Sequence, residues 1–219
     1  MAQRAGSPPG RSAWIDISRP LGEATPVWPG DRPFVLDTTV AGRVASSSFS
    51  ASCHVGTHVD APCHLDPTAG GVDTIPLERL IGSAEVIAIT AGLAAPEHLP
   101  AGWRPATPRV LLRTDSHPLD APIGPGFAAV DARLVHWLAD RGVELVGIDT
   151  PSVDPFEADA LPAHRALLER GMTWIEGLWL GGVAPGRYEL VALPMPMVGT
   201  DAAPVRAVLR PHAPGEPAA

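Results

Sequence analysis

The segment Cys53-His54-Val55-Gly56-Thr57-His58-Val59-Asp60-Ala61-Pro62-Cys63-His64 places three imidazoles and a carboxylate around one glycine and one proline. His54 and His58 are four apart, the spacing at which two histidines on one helical face bind zinc. The local sequence opposes a helix: Gly56 lies between them, Val55, Thr57 and Val59 are β-branched, and Pro62 ends the run. In a regular strand His54, His58 and Asp60 would share a face, but residues four apart would stand about 13 Å from one another, too far for one small metal cluster. The chain must bend, and Gly56 is the residue that permits it.

The surrounding composition is that of a globular domain. The chain has 219 residues, 45% of them hydrophobic, enough for one well-filled core. No composition shift divides it, so a single domain is expected over 13–210, with disordered tails at 1–12 and 211–219. The formal charge of −8 and the lack of a basic cluster argue against nucleic acid as a partner. No apolar run is long enough to span a membrane and Met1 to Gly10 has no apolar signal core, so a cytoplasmic location is expected. Cys53 and Cys63 are the only cysteines. They read as free thiols beside a metal site or as small packing residues, not as a disulfide framework.

Absences narrow the chemistry. All sixteen basic residues are Arg, which excludes Schiff-base lysines, a phosphate-loop lysine and Ser–Lys nucleophile pairs. There is no Asn, hence no Asn oxyanion donor and no N-glycosylation acceptor. No serine sits in Gly-x-Ser-x-Gly, so a nucleophile elbow has no support. Gly124-Pro125-Gly126-Phe127-Ala128-Ala129 imitates a dinucleotide fingerprint, but Pro125 interrupts it and no apolar strand leads into it.

Periodicity predicts an α/β or α+β chain with stiff, Pro-rich connections. Strands are expected at Trp14–Ser18, Phe34–Thr39, Ala45–Ser52, Val86–Thr90, Val110–Thr114, Leu145–Ile148, Glu189–Leu193 and Val205–Leu209. A helical turn is expected at Leu77–Ile81. One helix is expected from the cap Asp131 to Arg141 with Gly142 as its stop, and another over Pro162–Arg170 ending at Gly171. A pair of divalent metals needs more ligands than His54, His58 and Asp60 offer, and His164 and Glu176 lead the candidates. Spacing alone leaves plainer readings open for them: a surface helix histidine and a solvated carboxylate.

The residues also match a known family. From Trp14 to Arg210 the chain resembles the bacterial kynurenine formamidases of the metal-dependent cyclase-like hydrolase superfamily. The resemblance rests on Trp14-Ile15-Asp16-Ile17-Ser18, Thr25-Pro26-Val27-Trp28-Pro29-Gly30-Asp31, the run His54 to His64 and Ile75-Pro76-Leu77. It continues through Gly147-Ile148-Asp149-Thr150-Pro151-Ser152-Val153-Asp154-Pro155 and from Tyr188 to Arg206. It implies a compact domain of mixed β-sheets with a few helices, in the cyclase-like swivelling β/β/α fold. It implies that His54, His58, Asp60, His164 and Glu176 bind two zinc ions per subunit, with manganese or cobalt as substitutes and Asp60 shared. His64 would be the catalytic acid/base and Trp28 a substrate contact.

The implied activity is hydrolysis of N-formyl-L-kynurenine to L-kynurenine and formate in tryptophan catabolism, by a metal-activated hydroxide at a binuclear site. A homodimer or larger homo-oligomer is implied as well. A neutral imidazole just beyond the ligand run suits proton shuttling on its own account. The rival readings are a sibling amide or lactam hydrolase, such as an isatin-hydrolase-like enzyme, and a non-catalytic metal-binding protein.

Overall fold

Alternation of apolar side chains along the strands builds a closed sheet with two packed faces. The computed structural model describes residues 14–212. Strand β1 is Ile15–Asp16, and β2 (Val35–Ala41) and β3 (Val44–Ser50) form a separate hairpin. Next come β4 (His58–Asp60), helix α1 (Leu77–Leu80), β5 (Ile81–Ala88), β6 (Leu93–Ala94), β7 (Arg109–Arg113) and β8 (Ala129–Val130). Helix α2 (Ala132–Ala139), β9 (Leu145–Ile148), α3 (Pro162–Glu169), β10 (Thr173–Glu176), β11 (Gly186–Pro194) and β12 (Ala202–Pro211) complete the order.

The main sheet runs β1-β12-β11-β5-β7-β9-β10-β4, and β4 pairs a second time, with β12. Seven strands therefore close into a ring, and β1 shares the outer edge of β12 beyond β4. Strands β5, β7, β9 and β10 are parallel, joined by crossovers that include α2 and α3, whereas β11, β12 and β4 pair antiparallel. The inner cluster holds Val59, Ala84, Val86, Leu111, Leu145, Ile175, Leu190, Ala203 and Leu209. Their sequence neighbours Ile87, Val110, Leu112, Val146, Ile148 and Trp174 face outward, onto Leu134, Val135 and Leu138 of α2 and Ala163, Ala166 and Leu167 of α3. Complete burial of each Val, Leu or Ile among them contributes about 1.5–3 kcal/mol.

Most expected elements are present with shifted ends. β5 begins at Ile81, five residues before the expected strand, because Gly82-Ser83-Ala84 pairs with β11 without any apolar signal. Only Ile15–Asp16 of the first expected strand is paired. Pro211, expected in a disordered tail, closes β12 opposite Tyr188, its ring tolerated where the strand ends. The remainder of that tail beyond His212, and the expected tail at 1–12, lie outside the described residues. Strands β4 and β10 had no periodic signal at three and four residues. No helix among the described residues is long and apolar enough to cross a membrane.

Candidate metal centre

The register of the closing strands assembles the centre. Val59 and Ile175 point into the barrel, so His58, Asp60 and Glu176 on either side of them face outward, beneath α3. His58 lies directly opposite Glu176 on β10, and Asp60 opposite Ala202 on β12. His54 reaches the same place because the chain turns at Gly56, whose φ is +68°. His54 Nδ1 thus stands 3.0 Å from Asp60 Oδ1. The expected bend is where the sequence placed it.

Helix α3 brings the third imidazole. Leu161 precedes it and cannot cap it, so a remote carboxylate does: Asp154 accepts from the Ala163 N–H at 2.7 Å and the His164 N–H at 3.1 Å. The same Asp154 Oδ2 accepts from His164 Nδ1 at 2.7 Å, which turns Nε2 of His164 toward Asp60 Oδ2 (3.5 Å) and Glu176 Oε1 (3.3 Å). Glu176 Oε2 approaches His58 Nε2 at 3.3 Å. Each carboxylate therefore presents one oxygen to His58 and the other to His164.

The outer atoms of the cluster are all held. His58 Nδ1 donates to the Gly56 carbonyl at 3.2 Å and His54 Nε2 donates to Asp201 Oδ2 at 3.1 Å. With Asp154 on His164, every imidazole has its distal nitrogen bonded and its lone pair directed inward, the arrangement that metal-ligating histidines require. Trp174 Nε1 donates to Asp60 Oδ2 at 2.8 Å, and the Val153 N–H to Glu176 Oε1 at 2.7 Å.

His58 Nε2 and Asp60 Oδ1 are buried without a hydrogen-bond partner among the described residues. Leaving such groups unsatisfied costs about 1–3 kcal/mol each, which a cation between them removes. The buried nitrogen and oxygen donors fit a divalent metal. His54, His58 and Asp60 offer one set of ligand atoms within 4.8 Å of one another, and Asp60, His64 and His164 another.

Protons compete for the same atoms. Burial depresses His54, but the Asp60 and Asp201 carboxylates outweigh it and push its pKa up to about 9. His164 is likewise raised well above 6.5 against its burial, by the charge of Glu176 and the bond to Asp154. Asp60, though fully buried, is held well below the usual carboxylate range by His164 and His54. His64 differs: burial lowers its pKa, keeping the ring neutral at pH 7. Its ring centroid lies 4.5 Å from that of His54 and 5.7 Å from that of His164.

All five expected ligands and His64 converge. The plain readings of His164 and Glu176 as solvated groups are overturned, since both are buried. Trp28 is half-buried and packs against Phe156 at 5.0 Å and Phe127 at 6.4 Å between ring centroids. Cys53 and Cys63 are free thiols, half-buried. Sequence reasoning did not single out Asp154, Trp174 or Asp201. Asp154 and Asp201 do fall within the stretches that carry the family resemblance, but their partners lie 10 and 147 residues away, and no local spacing reveals them.

Comparison with known proteins identifies the family and the fold. A kynurenine formamidase from Salinibacter ruber is 44% identical over 206 residues, 90% of this chain and 97% of that protein. The structure of a predicted metal-dependent hydrolase from Bacillus stearothermophilus superposes with a TM-score of 0.80 at 30% identity, covering 92% of this chain and 99% of that one. Isatin hydrolase A from Labrenzia aggregata shares the fold, with a TM-score of 0.77 at 23% identity over 91% and 93% of the two chains. The Cyclase family profile matches residues 15–155, and the chain belongs to that family of metal-dependent hydrolases.

Proposed function

We propose that the chain is an arylformamidase that hydrolyses N-formyl-L-kynurenine to L-kynurenine and formate in tryptophan catabolism. The observation that carries this reading is the inward-facing set of three imidazole nitrogens and two carboxylates, with His64 at its rim. The name of the Salinibacter ruber relative supplies the substrate. His54, His58, Asp60, His164 and Glu176 would hold the metal; two zinc ions would suit these donors, with manganese or cobalt as substitutes. Metal, when bound, supplies Lewis acidity toward the formyl oxygen and lowers the pKa of water from about 15.7 to about 7.

The chain's own groups do the rest. His64 accepts a proton as water adds to the formyl carbon and returns it to the aniline nitrogen as the C–N bond breaks, releasing formate and the free amine. Trp28, walled by Phe127 and Phe156, stacks on the aromatic ring of the substrate. Asp154, Trp174 and the Val153 amide keep the ligands aimed. Assembly as a homo-oligomer is supported by the hairpin, where Leu36, Val40 and Phe49 share an exposed face on a two-stranded unit too small to be stable alone. The free thiols favour a reducing, cytoplasmic setting.

The test is turnover of N-formyl-L-kynurenine before and after chelation, with zinc or manganese restored. Turnover abolished by chelation and recovered with metal is expected, and His64→Ala should keep its metal while losing about 10²–10⁴-fold in kcat. A fully metallated protein inactive on this substrate but active on isatin overturns the reading in favour of lactam hydrolysis. An unchanged kcat in His64→Ala removes His64 from the reaction.

A further inference from the structure

Asp201 stands between two histidines with different tasks. Its Oδ2 accepts from His54 Nε2 at 3.1 Å and lies 3.7 Å from His64 Nδ1. The backbone there is fixed, because the Asp201 carbonyl accepts from the Ala61 N–H at 2.8 Å and Ala202 pairs with Asp60 in the next register position. One carboxylate oxygen on the first residue before β12 is thereby held against both a ligand of the centre and the residue at its rim. His54 and His64 pack ring to ring at 4.5 Å. This oxygen therefore accepts from the outward nitrogen of His54 and faces Nδ1 of His64 as a charge from beyond hydrogen-bond range.

We infer that Asp201 is a positioning residue that fixes the ring tautomers of His54 and His64 together, resting on the reading of these two as metal ligand and acid/base. With the His54 proton held on Nε2, the Nδ1 lone pair is left for metal. The charge of the same oxygen, 3.7 Å from Nδ1 of His64, favours the proton on that nitrogen and leaves Nε2 as the proton-transferring atom. Asp201 makes the geometry of metal binding and the geometry of proton transfer depend on one side chain.

The experiment compares Asp201→Ala and Asp201→Asn with the unaltered protein by zinc titration against a chromophoric chelator, by imidazole ¹⁵N spectra and by steady-state kinetics. Asp201→Ala should weaken zinc binding about 10–100-fold, the usual effect of losing an outer partner of a ligating histidine. It should lower kcat with KM little changed, and mix the tautomers of both rings. Asp201→Asn keeps an acceptor oxygen and should recover most of the zinc affinity. Zinc affinity and tautomer populations equal to the unaltered protein in Asp201→Ala overturn the inference. So does a loss of one bound zinc per chain, which makes Asp201 a ligand. Zinc titration and spectra need no substrate, so they stand or fall apart from the formamidase assignment.

Discussion

His54 shows how neighbours change what one residue can do. Isolated, it is an ordinary imidazole; between Asp60 and Asp201 its pKa rises to about 9, so at neutral pH metal must displace a proton from it. Zinc affinity should therefore increase as pH rises from 6.5 toward 9, by about tenfold per unit for each proton displaced, and level off above. Competition titrations at several pH values check this, and an affinity flat across the range would contradict it. The sign reverses for the chelated protein. A raised His54 pKa contributes stability that is present below 6.5 and lost as pH climbs through about 9. At this scale the sequence was informative for which residues meet, since His54, His58 and Asp60 crowd one segment. It was silent on Asp201 and Trp174, whose roles exist only across strands.

Among the elements, β4 and β10 do most with least. They were invisible to periodicity, yet they carry His58, Asp60 and Glu176. Their approach depends on Gly56 and Gly177, which flank the two strands and meet back to back. A Cβ on Gly177, at φ +64°, would stand 2.1 Å from the Gly56 carbonyl oxygen and 2.9 Å from its carbon. Backbone cannot yield as a side-chain tip can, so Gly177→Ala should destabilise by at least about 2 kcal/mol and weaken zinc binding. Gly182→Ala is the control: φ is +81° there with open space around it, so only the conformational strain of about 1 kcal/mol applies. Equal unfolding midpoints for the two variants would show that the close contact is unimportant. The helices were legible because their caps and stops are local, as at Asp131, which accepts from the Arg133 N–H at 2.8 Å. The capping of α3 by Asp154 was not, because the cap comes from a loop eight residues before the helix begins.

For the whole molecule, the class of fold followed from strand and helix patterns, but closure of the sheet did not, since pairing of β4 with β12 leaves no periodic trace. On the proposed reading metal binds only the closed form, so chelation should lower the melting temperature. With metal at a thousand times its Kd the loss is about 4 kcal/mol, or about 8–16 °C for a chain of this size. Calorimetry checks it, and coincident melting curves would indicate a centre that contributes nothing to the fold. The double pairing of β4 also has a consequence in time. Residues 58–60 are joined by hydrogen bonds to residues 202–204, among the most distant contacts along the chain. Contacts of such separation form late, after the intervening loop entropy has been overcome. During synthesis β12 follows long after the His54–His64 segment, so the cluster that β4 carries stays unseated until that much later strand has been made.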